Sequence, residues 1–176
     1  DALGFSYFWP KIKQVIKENN IPVVLHNSFF DMLFIYSHFE KNLTRDMVEF
    51  KKHVHEQVFP FVYDTKAVAV EFKLERTSLS ELWASLCKSD LIKTKVAFEN
   101  IFEGDECFNF HNAGFDAYIT GCAFLTMLHN LPAGVDKYAN RIKLFGSGNF
   151  QCDLANPSMN HVVSESVYAV FPKVKF

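Results

Sequence analysis

This chain lacks several of the usual signatures. No stretch approaches the roughly 18 uninterrupted apolar residues a membrane-crossing helix needs, and no secretion signal is present. Basic charge is not in excess: 18 Lys and Arg face 20 Asp and Glu, for a net charge of −2. No global positive field therefore recruits nucleic acid, and any such binding must be local to a groove. Cysteine is sparse. Cys87, Cys107, Cys122 and Cys152 form no C-x-x-C pair and match no zinc spacing, so reduced thiols of an intracellular protein, in cytoplasm or nucleus, are expected. The chain opens at Asp1 without an initiator Met, which predicts a segment of a longer protein. What is abundant is core material: 49% of the 176 residues are hydrophobic, and Phe alone occurs 20 times. That is enough for an ordinary domain and argues against disorder.

Apolar spacing predicts a helix over 5–17 with Phe8, Ile12, Val15 and Ile16 on one face. Val23 to Leu25 reads as a short strand buried on both faces, followed by a helix from Ser28 to His38 that is apolar nearly all round. A second helix is predicted from Leu43 to His55, with Met47, Phe50 and Val54 inward. A strand is predicted from Phe59 to Tyr63, and Asp64-Thr65 should cap the next helix. Ser78-Leu-Ser-Glu81 is a capping box. Residues 88–110 read as a long surface loop, Asn112 as the N-cap of a buried helix ending near Pro132, and 162–171 as a strand. The alternation of strands and helices indicates an α/β fold. Two short parallel strands do not make a stable sheet, so the tail or a segment outside the chain must pair with them.

Two aspartates stand out in otherwise apolar surroundings: Asp31 in His26-Asn-Ser-Phe-Phe-Asp, and Asp116 in His111-Asn-Ala-Gly-Phe-Asp. A buried carboxylate without a partner costs several kcal/mol or is forced to protonate. Two of them, each preceded by His-Asn, suggest a pair of divalent metal ions held for phosphoryl chemistry. Asp31 follows the end of a strand, where ligand sites of open α/β sheets gather, although Asp is also common in first helical turns. His111 and Asp116 lie five residues apart, so on one helix they would point about 140° apart. They share a site only if His111 lies on the loop before the helix, a position that suits a mobile general base. Asp64 reads as a helix cap, and Lys66 is within reach of a substrate phosphate.

These pieces occur in a recognisable order: His26-Asn-x-x-x-Asp31, Tyr63-Asp-Thr-Lys66, Thr77-Ser-Leu-Ser-Glu-Leu82, and His111-x-Ala-Gly-Phe-Asp-Ala-Tyr-Ile-Thr-Gly121. Together they resemble the poly(A)-specific ribonuclease family of DEDD 3′-5′ exoribonucleases, which have an RNase H-like fold. The resemblance implies that Asp31 and Asp116 are metal ligands and catalytic residues and that His111 is the general base. Asn27 and Lys66 fall at positions the family places near the RNA backbone. It further implies two Mg²⁺ ions, replaceable by Mn²⁺, roughly 4 Å apart on the scissile phosphate. The substrate would be the 3′ end of single-stranded RNA, a poly(A) tail or a small RNA.

One departure is serious. The family's first motif is Asp-x-Glu on an N-terminal strand, and this chain contains none. The early strand meander is missing too. The expected organisation is thus a partial RNase H-like fold: residues 1–135 as the second half of a nuclease domain, and 136–176 as an extension leading toward an RNA-recognition domain. The missing half would come from the same protein or another chain, and a homodimer is a further expected partner. Alone, this chain should be inactive. The competing expectation is a non-catalytic scaffold or RNA-binding subunit with a degenerate nuclease fold.

Overall fold

The computed structural model describes residues 4–70, 78–88, 112–131, 134–144, 150–158 and 160–162. Its elements are α1 (Phe5–Glu18), β1 (Val23–Leu25), α2 (Phe29–Ile35), α3 (Met47–His53), β2 (Val62–Asp64), α4 (Thr65–Ala69), α5 (Leu79–Lys88), α6 (Ala113–Asn130), β3 (Arg141–Lys143), β4 (Phe150–Asp153) and β5 (Asn160–Val162). Single π-helical turns, Tyr36–Glu40 and Val54–Val58, close α2 and α3. The expected loop at 88–110 and most of the expected strand at 162–171 lie outside the described residues.

Several boundaries follow from local caps. Asp46 accepts from the Val48 and Glu49 amides and starts α3 there, four residues later than apolar spacing predicts. Asn112 does the same for α6 through the Gly114 and Phe115 amides, as expected. The Glu81 amide donates to the Ser78 hydroxyl at 3.4 Å, the N-cap half of the capping box, and that hydroxyl donates to the Glu81 carboxylate at 2.6 Å. The second strand begins at Val62 rather than Phe59, because Phe59 is spent closing a π-helical turn and is buried in the core.

β1 and β2 pair in parallel, Val23 with Val62 and Leu25 with Asp64. The tail supplies the missing neighbour. The Asn140 amide donates to Val62 O at 2.7 Å, and the Val62 amide donates to the Asn140 side chain at 3.1 Å. Three residues on, the Lys143 amide donates to the Asp64 carboxylate. Residues 140–143 therefore run beside β2 in the same sense as β2. Asn140 turns the chain in this seam with a φ of 61°, a left-handed conformation Asn tolerates better than most residues. β3 then pairs antiparallel with β4, and β4 with β5.

The main core gathers Trp9, Met32, Tyr36, Phe50, Val54, Val58 and Val62 with Ile142, Cys152 and Leu154. Packing thus runs across the expected boundary at residue 135. A second core joins α4, α5 and α6 through Val68, Leu82, Leu86, Ala123 and Met127. Two expectations need correction. On α1 the stripe of Phe8, Ile12 and Val15 faces outward, and Trp9 is the buried residue. The Trp9 indole N–H donates to Glu40 at 2.6 Å, which sets the rotation of the helix. On α2, Phe30 and Phe34 are exposed, 64% in the case of Phe34, so this helix is not buried all round. Its short length lets only Met32 and the following Tyr36 turn fully inward.

Candidate active site

Because β1 and β2 are parallel, α2 and α4 both begin at the same edge of the pair, just beyond the strands' carboxyl ends. In open α/β sheets ligand sites gather at that edge. One side chain organises it. Asp64 is fully buried, and its carboxylate accepts four backbone N–H groups: Asn27 at 2.9 Å, Ser28 at 3.3 Å, Lys66 at 2.9 Å and Lys143 at 3.0 Å. It caps α4, as expected, and also ties the β1–α2 turn and the end of β3 to β2. Asn27 holds that turn with a φ of 54°. A second link crosses it, where the His26 ring nitrogen lies 2.8 Å from the Thr65 hydroxyl, which donates in turn to the Leu25 carbonyl.

Asp31 stands on the first turn of α2. Its side chain reaches solvent, which corrects the expectation of a buried carboxylate. The protein packed around it still raises its pKa above the ordinary 3.8, and the nearby Asp64 charge adds to that rise. Among the described residues no cation forms an ion pair with it. Lys66 is the second residue of α4, and its amide donates to Asp64, the cap of that helix. Lys143 closes the group from the other side. It is only 7% exposed, and desolvation, with Lys66 close by, lowers its pKa against the opposing pull of Asp64.

Of the residues predicted from sequence, Asn27, Asp31 and Lys66 meet at this edge around Asp64. Asp116 is half-buried on the first turn of α6, a helix that packs on β1 and α4. His111 lies outside the described residues. Sequence reading missed Lys143 and the full reach of Asp64. The signal for Asp64 was present, since a strand-end Asp before Thr-Lys marks a cap. Lys143 carries no such mark: it meets Asp64 across 79 residues of chain.

Among the described residues no group of three or more His, Cys, Asp or Glu side chains is placed to hold a metal ion. The donors present suit Mg²⁺ in kind, since carboxylate oxygens are the hard ligands it prefers and a cation would relieve the crowded charge of Asp31 and Asp64. They fall short in number.

The chain is similar to known ribonucleases. It is 37% identical over 140 residues to the poly(A)-specific ribonuclease PARN of Xenopus laevis, covering 74% of this chain and 21% of that protein. It is 29% identical over 188 aligned positions to the poly(A)-specific ribonuclease PNLDC1 of Pongo abelii, covering 99% of this chain and 34% of the relative. The pre-piRNA 3′-exonuclease trimmer of Bombyx mori is 30% identical, over 72% of this chain and 25% of its own length. The chain thus spans about a third or less of these relatives. Residues 1–124 match the CAF1 family ribonucleases, and the chain belongs to that family.

Proposed function

We propose that this chain is the second half of the nuclease domain of a 3′-5′ exoribonuclease, with a partial RNase H-like fold completed by an Asp-x-Glu strand from elsewhere. The observation that carries this reading is the meeting of Asp31, Lys66 and Asp64 at the carboxyl edge of two parallel strands, in a chain of a ribonuclease family. Asp31 and Asp116 would hold Mg²⁺ together with two carboxylates of the missing half. The bound ions would lower the pKa of the attacking water and stabilise the leaving 3′ oxygen. His111 would take the water's proton, and Asn27 and Lys66 would position the RNA backbone. The names of the relatives point to a poly(A) tail or a small-RNA 3′ end as substrate. An intracellular site of action fits such substrates.

The test is digestion of 5′-labelled single-stranded RNA by the complete protein with Mg²⁺ or Mn²⁺. Asp31→Ala and Asp116→Ala should each reduce it by more than the roughly 100-fold that loss of an outer-shell metal-site group produces. Full digestion by both variants would refute the assignment. A complete protein that binds RNA yet digests none with either metal would instead be a scaffold.

A further inference from the structure

We propose that Lys143 is a second phosphate-binding lysine of this site, gripping a backbone phosphate of single-stranded RNA together with Lys66. The inference rests on the exoribonuclease reading and adds to it a residue from the tail. The two oxygens of the Asp64 carboxylate fix both lysines: Oδ1 receives the Lys66 amide at 2.9 Å, and Oδ2 receives the Lys143 amide at 3.0 Å. Their backbones are thereby held on either side of one buried group, at the edge where Asp31 stands.

Lysine is among the residues least often buried, because its charge must then be paired. Lys143 is 7% exposed, and no carboxylate among the described residues forms an ion pair with it. The charge of Lys66 beside it makes this arrangement less favourable still. The Asp64 carboxylate is already engaged by four backbone N–H groups, and no ion pair among the described residues neutralises the Lys143 ammonium group. A phosphate of the RNA backbone has the charge and the acceptor oxygens to satisfy both lysines. The chain as a whole is slightly acidic, so attraction for RNA must be local, and two lysines held at one edge supply a local positive group.

The experiment measures binding of a fluorescein-labelled 20-nucleotide poly(A) to the complete protein, without divalent metal, across a range of salt concentrations. Lys143→Met should weaken binding roughly fivefold and lower the slope of log affinity against log salt by about 0.7, the value for one phosphate contact on a single strand. Lys66→Met should act similarly, Lys143→Arg should keep the original slope, and Lys52→Met on α3 should change nothing. Lys143→Gln, with a polar end, is the second neutral variant should methionine disturb packing. A wild-type slope in both neutral variants, with Lys66→Met still weakening binding, would overturn the inference and leave the RNA reading intact. So would a wild-type slope with a lowered melting temperature, which would make Lys143 the partner of a protein carboxylate. If the wild-type protein bound no RNA, the exoribonuclease reading itself would fall.

Discussion

Glu40 and Asp31 are carboxylates of the same structural unit, one at each end of the segment 31–40, and their surroundings push them in opposite directions. Glu40 is 6% exposed at the end of a π-helical turn. Burial alone would raise its pKa, but hydrogen bonds from Lys13, Trp9 and His53, together with the Lys13 charge, outweigh this and hold it below the ordinary 4.5. Asp31 is more exposed, yet desolvation and the neighbouring Asp64 raise its pKa. The first carboxylate is surrounded by donors inside the fold. The second faces solvent beside another acid, with no cation of the described residues against it. A carboxylate placed this way fits the proposed role of ligand to a divalent cation.

Asp64 is the most deeply held of the three carboxylates, and removing it should have the largest effect on stability. Asp64→Ala would strand four backbone N–H groups, each costing about 1–3 kcal/mol when buried and unpaired. Partial rehydration limits the total to about 4 kcal/mol, measurable by urea unfolding. A loss under about 1 kcal/mol would show that other contacts hold the strand edge.

Glu40→Ala comes next, at about 2–3 kcal/mol. This lies below the usual range for a broken buried pair, because Lys13 and His53 keep 22% and 20% side-chain exposure and can rehydrate. The sign of its pH dependence is determined by the lowered pKa. The stabilisation is present above 4.5, the unfolded value, and is lost as pH falls through the lower folded value. The wild-type protein should therefore lose stability below pH 4.5 more steeply than Glu40→Gln. Parallel curves for the two would remove the contrast with Asp31.

Asp31→Asn should have the smallest effect and the opposite sign. A raised folded pKa means that its contribution is favourable at low pH and fades as pH rises through the folded value. At neutral pH the neutral amide should stabilise the fold by no more than a few tenths of a kcal/mol, since solvent screens an exposed group. Calorimetry would detect this as a slightly higher melting temperature. Destabilisation by Asn would mean that Asp31 has a structural partner and is not reserved for a ligand.

Much of the site could be read from single residues and their near neighbours. Asp31 and Asp116 do stand on first helical turns, and Asn27 and Lys66 do flank the strand ends. Asn112, Ser78 and Asp64 do cap helices, because a cap is a contact over two or three residues and is written into local order. The apolar stripe of α1 was legible as a stripe, but its direction was not. Periodicity says which residues share a face, and the Trp9–Glu40 bond across 31 residues decided which face turns inward. The exposure of Asp31 was misread for a similar reason, since an apolar stretch of sequence does not say how much of a short helix is covered.

By itself the sequence determined the family, the α/β alternation, the position of each candidate ligand along the chain, and the lack of an Asp-x-Glu motif. Those properties reside in residue identity and short-range order. Only the tertiary structure decided that residues 140–143 lie beside β2, that Asp64 ties two separate segments, the β1–α2 turn and the end of β3, to its own strand and helix, and that Lys143 is buried next to Lys66. Hydrogen bonds across 78 and 79 residues of chain leave no periodic trace. A strand's pattern shows that it has a partner, and only packing selects which one.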